Sequence, residues 1–174
     1  IFPLLYATPL LPLLPAIIYS VAGGDYTSSE LVIETLLFQD STADGMFNSV
    51  ICAEDADYTD ADYDLAGLYP QLAVLAKQGD VRETCTLWQV EPLGTYIDQP
   101  VDSDIPTLVL SGEFDPVTPP SFGEMVAKHL SHAYAYTFPG VGHGTIDGGN
   151  CPVAMMLVFL ENPTQAPDDN CIAE

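Results

Sequence analysis

The apolar residues of the first segment are interrupted by prolines. Residues 1–24, IFPLLYATPLLPLLPAIIYSVAGG, contain no charged residue and have prolines at positions 3, 9, 12 and 15. Each proline removes a backbone hydrogen-bond donor, and inside a bilayer the freed carbonyls would need other partners. No basic residue flanks the stretch to anchor it at a membrane surface. We therefore predict short apolar helical pieces packed on another surface, and no membrane span.

Two more helices are predicted in the first half of the chain, on either side of an acidic stretch. The first covers residues 25–40, with Asp25 or Thr27 as its cap, and the second is YPQLAVLAKQG, ended by Gly79. The stretch between them, AEDADYTDADYD at 53–64, places three aspartates at the first ligand positions of a calcium loop. Leu65 and Gln71 stand where such a loop needs its glycine and its closing glutamate. We therefore expect a solvated acidic loop that binds no calcium.

The second half has the pattern of alternating strands and helices. PTLVLSG is a short apolar run typical of a strand buried on both faces, and AYAYTFPG is a second strand. Between them Ser121 and Glu124 form an S-x-x-E capping box before apolar residues at helical spacing. CPVAMMLVFLE predicts a final helix, with Pro152 in its first turn. This order predicts an α/β fold with two parallel strands and covering helices.

An Asp and a His follow the two predicted strands. Parallel neighbouring strands end at the same edge of a sheet, so the loops that carry Asp115 and His143 are expected to meet. Glycines at 140, 142 and 144 allow the His143 loop to turn sharply. A carboxylate that holds one imidazole nitrogen leaves the other free to take a proton from a serine. The alternative is an Asp in a turn and an ordinary surface His. We predict structural roles for His129 and His132.

Charge and cysteine content narrow the class of protein. Three Lys and Arg against 25 Asp and Glu give a formal charge of -22, which excludes nucleic acid as a partner and suits an acidic, salty or extracellular setting. The four cysteines contain no C-x-x-C pair. Two disulfides, Cys52–Cys85 and Cys151–Cys171, are the economical pairing, and four free thiols are the alternative. Disulfides would place the protein in an oxidising compartment.

Several stretches resemble one hydrolase family. PTLVLSGEFDPVTPPSFGEMVAKHL, FPGVGHGT and C...FLENPTQAPDDNC are similar to the C-terminal module of the tripeptidyl-aminopeptidase-like α/β-hydrolases, secreted or cell-envelope serine exopeptidases related to proline iminopeptidases. LLPLLPAIIYSVAGGD and FNSVICAEDA are similar to the helical cap of that family and the return to its sheet. The resemblance implies the C-terminal part of an α/β-hydrolase fold preceded by a helical cap region. It assigns residues 1–100 to the cap and return segment and 101–174 to the C-terminal module.

The resemblance also implies roles for single residues. Asp115 would be the triad acid and His143 the triad base, and the Thr118 hydroxyl would support them. Glu54 and Asp55 match the acidic stretch after the cap cysteine, where they would hold the free amino group of a peptide substrate. No metal or organic cofactor is implied, and the expected location is outside the cell or in its envelope.

The nucleophile of such an enzyme is missing from the sequence. No G-x-S-x-G occurs in the 174 residues, and no His-Gly-Gly oxyanion loop precedes the cap-like region. Ser111 follows a predicted strand, but it lies beside the acid and we expect it to be structural. The serine and oxyanion hole are therefore expected from an N-terminal segment or a separate chain, without which this chain should be inactive. An esterase of the same fold and a non-catalytic binding module are the alternatives.

Overall fold

The computed structural model describes residues 2–31, 43–76 and 79–173. The chain divides into two compact units. One, here called the sheet unit, combines Ile1–Gln39 with Pro100–Glu174, and the other, the helical unit, is Asp40–Gln99. This grouping by contacts differs from the boundary near residue 100 that the family resemblance implies, and that boundary stays a prediction.

The sheet unit begins with the short helical pieces that the proline pattern predicts. Two 3-10 helices, Phe2–Tyr6 and Thr8–Leu13, lead into helix α1, Leu14–Ala22. The prolines near the helix starts remove no hydrogen bond, because the backbone N–H groups of a first helical turn have no partner within the helix. A further helical segment starts at Thr27, whose N–H donates to the Asp25 carboxylate at 3.0 Å. The rest of the helix predicted at 25–40 lies outside the described residues.

The two predicted strands pair in parallel. Strand β1, Thr107–Gly112, lies beside β2, Ala133–Phe138, and the register places Thr107 opposite Ala133 and Gly112 opposite Phe138. Helix α5, Pro120–Ala127, connects the strands, and helix α6, Asn150–Glu161, follows β2. The strand, helix, strand and helix order predicted for this half is confirmed. Both strands end at the same edge, which brings the loops after Gly112 and Phe138 together.

Two details of the prediction were wrong. Helix α5 has Pro119 as its N-cap and Pro120 as its first residue, and no side chain caps it, so the predicted Ser121 and Glu124 capping box does not form. Two successive prolines with fixed φ angles start the helix before Ser121 can act as its cap. Strand β1 is buried only at Ser111 and Gly112 and half-buried elsewhere. The single described neighbour, β2, leaves the rest of it partly exposed.

The core of the sheet unit lies around the C-terminal end of β2. Phe138, Val141 and Met155 are buried together, and partly buried side chains pack around them: Leu110, Tyr136, Cys151, Cys171 and Ile172. The predicted disulfide Cys151–Cys171 is present and joins the start of α6 to the C-terminal tail. Val141 belongs to this buried cluster, so the loop that carries His143 begins at a tightly packed residue.

The described residues of the helical unit include three α-helices. Helix α2 is Asp44–Glu54, helix α3 is Pro70–Ala76 and helix α4 is Arg82–Trp88. The predicted disulfide Cys52–Cys85 joins α2 to α4. The helix predicted before Gly79 is present as α3, and the two residues before Gly79 are not described. In the parts of the chain described here, no helix has the length and hydropathy that a bilayer crossing requires.

Candidate active site

Asp115 is fixed by the turn that follows β1. Its carboxylate accepts the backbone N–H of Val117 at 2.8 Å and that of Thr118 at 2.9 Å, both on Oδ1. The Thr118 hydroxyl donates to Oδ2 at 2.8 Å. The Asp-Pro-Val-Thr sequence favours this turn, since an Asp side chain readily accepts from backbone N–H groups two and three residues later. The side chain of Asp115 is 5% exposed, so its charge is stabilised by the protein and hardly by water.

These hydrogen bonds keep Asp115 ionised. Burial by itself raises the pKa of the carboxyl group, because a low-dielectric surrounding disfavours charge. Hydrogen bonds from Thr118, Val117 and His143 stabilise the carboxylate and together lower its pKa to about 2. Asp115 is therefore a carboxylate at neutral pH and acts as an acceptor for any ring proton placed against it.

His143 meets that carboxylate from the loop after β2. Its Nδ1 lies 3.1 Å from both carboxylate oxygens of Asp115. An ionised carboxylate can only accept, so the ring proton of the neutral imidazole is held on Nδ1 and Nε2 keeps its lone pair. The His143 side chain is 37% exposed, and no side chain of the described ranges hydrogen-bonds to Nε2. The geometry is that of a general base on a partly exposed ring, with its acceptor nitrogen turned away from the carboxylate.

The two loops are held together by hydrogen bonds from backbone N–H groups, one to a backbone carbonyl and one to a carboxylate. The Phe114 N–H donates to the Val141 carbonyl at 2.8 Å, and the Gly140 N–H donates to the Glu113 carboxylate at 2.8 Å. A Cβ atom on Gly112 would lie 2.1 Å from the carbonyl oxygen of Gly142, so a side chain cannot be accommodated there. The distance between Asp115 and His143 is thus set by two strand ends and not by the side chains alone.

The remaining predicted residues lie elsewhere. His129 Nδ1 is 3.1 Å from the exposed Asp102 carboxylate, and His132 Nδ1 is 2.9 Å from the Asp104 carbonyl oxygen. Ser111 is buried inside β1, where its hydroxyl would be 2.7 Å from a Cβ atom added to Gly123 of α5. These positions agree with structural roles for the two histidines and the serine. The described residues include no group of three or more His, Cys, Asp or Glu arranged to hold a metal ion.

Glu54 and Asp55 belong to the helical unit, at the end of α2. Asp55 lines a cavity of about 360 Å³, together with Tyr58, Asp62 and Tyr63. Glu54 lines a different and smaller cavity of about 70 Å³. The structure thus separates the two neighbouring acidic residues, and their proposed contact with a substrate amino group stays a prediction.

Some contributors to the site were not foreseen from the sequence. The Val117 N–H and the Glu113 carboxylate both support the Asp115 and His143 loops, and Leu5 and Thr8 contact the histidine loop from the start of the chain. The Asp-Pro dipeptide was a usable signal for the Val117 contact. The other three contacts join residues distant in sequence, for which local pattern carries no signal.

The parallel sheet lies within a region that matches a known protein family. A family model described as TAP-like protein matches residues 72–171, more than half of the chain and all of its sheet, and the chain belongs to this family. The region is thus an α/β-hydrolase-related domain of mixed helices and a small parallel sheet, as the resemblance predicted. Neither a curated protein nor a solved structure matches the chain.

Proposed function

We propose that this chain supplies the acid and the base of a serine exopeptidase that removes short peptides from a free N-terminus. The observation that carries the proposal is the hydrogen-bonded pair of a buried, ionised Asp115 and a partly exposed His143 at the sheet edge. Membership of an α/β-hydrolase-related family makes hydrolysis the expected reaction class. The exopeptidase specificity rests on the resemblance to tripeptidyl aminopeptidases.

In the proposed reaction a serine hydroxyl attacks the scissile carbonyl while its proton moves to Nε2 of His143. Asp115 stabilises the imidazolium that forms and stays ionised, because the hydrogen bonds that it accepts lower its pKa to about 2. His143 then transfers the proton to the leaving amine, which departs and leaves an acyl-enzyme. Water attacks this ester while one of its protons moves to His143, and His143 returns that proton to the serine oxygen as the peptide acid is released.

The serine would come from a segment outside this sequence. The 174 residues contain no G-x-S-x-G, the sequence motif of the strained turn that presents such a nucleophile. The helices that cover the sheet support the need for a further segment, since each exposes half or more of several apolar side chains: Met125 and Val126 on α5, and Leu157, Val158 and Leu160 on α6. Apolar surface of this kind is commonly covered by another part of the protein.

The substrate amino group would be held by Asp55 in preference to Glu54. Asp55 shares its cavity with the rings of Tyr58 and Tyr63, and a carboxylate beside aromatic rings suits an ammonium group. We further propose that the protein is secreted or held in the cell envelope, which its two disulfides fit.

The test combines one variant with paired substrates. In the enzyme completed by its serine-bearing segment, His143→Ala should lower kcat by about 10⁴-fold or more, since triad members act as a unit. His129→Ala is the matched control, because His129 also lies 3.1 Å from an aspartate but at the surface. Peptides with a free N-terminus should be cleaved and their N-acetylated forms should not.

Each other outcome identifies an alternative. Hydrolysis of small esters without regard to a free amine would assign the chain to an esterase. A fluorophosphonate probe that labels no chain in the native preparation would indicate a non-catalytic module. Near-normal peptide turnover by His143→Ala would refute the role of this residue.

A further inference from the structure

The start of the chain crosses the loop that carries His143. The His143 N–H donates to the Leu5 carbonyl at 3.4 Å, and the Gly142 N–H donates to the Thr8 hydroxyl at 3.1 Å. Both partners belong to the sheet unit, although 134 residues separate Thr8 from Gly142. The backbone of the His143 loop is therefore hydrogen-bonded to Glu113 and Phe114 on one side and to Leu5 and Thr8 on the other.

The contact is too close to be incidental. A Cβ atom on Gly142 would lie 2.3 Å from the Leu5 carbonyl oxygen, so only glycine allows the segment to approach this far. Leu4, the residue before, is 6% exposed and anchors the segment in the unit. A buried apolar anchor, two hydrogen bonds and a glycine-dependent approach together define one position for the segment.

Tyr6 contacts the catalytic ring itself. The Tyr6 and His143 ring centroids are 5.1 Å apart with an interplanar angle of 66°, an edge-to-face arrangement that aromatic pairs favour. Asp115 holds one edge of the imidazole but leaves the ring free to tilt about that contact. A second ring packed against the imidazole restricts this tilt without bonding to Nε2.

We propose that Leu5–Thr8 is a positioning element for His143. Thr8 and Leu5 hold the loop backbone, and the Tyr6 ring holds the imidazole against Asp115 with Nε2 accessible. The positioning itself is a property of this chain, while its value for catalysis rests on the proposed function. Tyr6 and Thr8 are positioning residues, since they act through His143.

Nuclear magnetic resonance of the 174-residue chain tests the proposal without any hydrolysis. The signal to follow is the His143 Nδ1–H proton, identified by its loss in His143→Gln. Tyr6→Leu removes the ring and keeps an apolar side chain, and Tyr6→Phe keeps the ring. We expect Tyr6→Leu to shift the His143 ring signals. It should also speed exchange of the Nδ1–H proton with water by about fivefold, because the free energy of an edge-to-face contact corresponds to a factor of this size.

The controls separate positioning from a general effect on folding. Tyr6→Phe, which keeps the ring, should stay closer to the wild-type exchange rate than Tyr6→Leu does. Tyr19→Leu, which removes a tyrosine from α1 that is 79% exposed, should keep the wild-type rate. Thr8→Val should speed hydrogen exchange of the Gly142 amide, and Thr8→Ser should restore it. This second pair reports on the loop even if Tyr6→Leu folds poorly.

Unchanged His143 ring signals and Nδ1–H exchange in Tyr6→Leu, or unchanged Gly142 exchange in Thr8→Val, would overturn the proposal. These results are independent of the proposed function. In the completed enzyme, Tyr6→Leu should lower kcat by about the same fivefold factor with little change in KM, because the lost contact orients the base and not the substrate. If the signals change but no peptide is hydrolysed, the positioning stands and the proposed function fails.

Discussion

The two units stabilise charged groups in different ways. In the sheet unit, Asp115 is buried and its carboxylate is stabilised by two backbone N–H groups, a hydroxyl and an imidazole. In the helical unit, Asp80 is partly exposed and faces Arg82, which also bonds to Asp60 at 2.7 Å and lies over the Tyr58 ring at 5.0 Å. Both environments lower the pKa of the aspartate.

The units also differ in what holds the chain together. The sheet unit has a buried apolar cluster of Phe138, Val141 and Met155. Among the described residues of the helical unit, the only buried side chain is Cys52 of the disulfide to Cys85. The sheet unit therefore buries Asp115 in a region that also has an apolar core, while the helical unit depends on a covalent link and a surface charge cluster.

The largest expected effect comes from removing the disulfide of the helical unit. The double variant Cys52→Ala, Cys85→Ala removes a cross-link between residues that are 33 apart in sequence. This should lower the free energy of unfolding by roughly 4 kcal/mol, mainly by enlarging the unfolded ensemble. Hydrogen exchange measured by mass spectrometry should show lost protection across residues 44–88 and intact protection of β1 and β2.

The matched control removes the disulfide of the sheet unit. Cys151→Ala with Cys171→Ala frees residues 20 apart and should cost roughly 3 kcal/mol, yet the apolar cluster should keep β1 and β2 protected. Retained protection of residues 44–88 after removal of Cys52–Cys85 would show that the helical unit has other stabilising contacts.

A smaller effect is expected from acid. The native pKa of Asp115, about 2, lies below its ordinary value of 3.8, so the unfolded chain binds this proton first. The stability that Asp115 contributes is complete above pH 3.8 and is lost as the pH falls towards 2. Between pH 5 and pH 2, denaturant unfolding should show that wild type loses roughly 2 kcal/mol more than Asp115→Asn.

The control for this titration is Asp102→Asn. Asp102 also lies 3.1 Å from a histidine, but it is exposed, so this variant should keep the wild-type dependence on pH. An Asp115→Asn protein with the same acid sensitivity as wild type would mean that the hydrogen bonds to Asp115 do not stabilise its charge.

The smallest effect is expected at Arg82. Arg82→Gln removes the charge that faces Asp60 and Asp80, but ion pairs at the surface contribute little and are screened by salt. We expect a lower Tm in dilute buffer, a smaller decrease in 1 M salt, and partial recovery in Arg82→Lys, which keeps the charge and loses the planar geometry. A loss equal to that of the Cys52–Cys85 variant would show that the charge cluster, and not the disulfide, holds the helical unit.

Local sequence determined most of the elements and the order of the site. The apolar runs of β1 and β2 and the helical patterns of α3 and α6 were correctly predicted, because short-range periodicity and turn residues decide such elements. The pairing of the four cysteines was also correct. Asp115 and His143 each follow one of two parallel strands, and this order was enough to predict that the two residues meet.

Tertiary structure alone decided how the site is held. The start of α5 followed two prolines instead of the predicted capping box, and the exposure of β1 depends on which strands lie beside it. The contacts of Leu5, Tyr6 and Thr8 with the His143 loop join residues more than 130 positions apart. No local pattern encodes such contacts, because they depend on where the folded backbone brings distant residues. The absence of a side chain at Gly142 is required by the close approach of the Leu5 carbonyl, which only the folded structure shows.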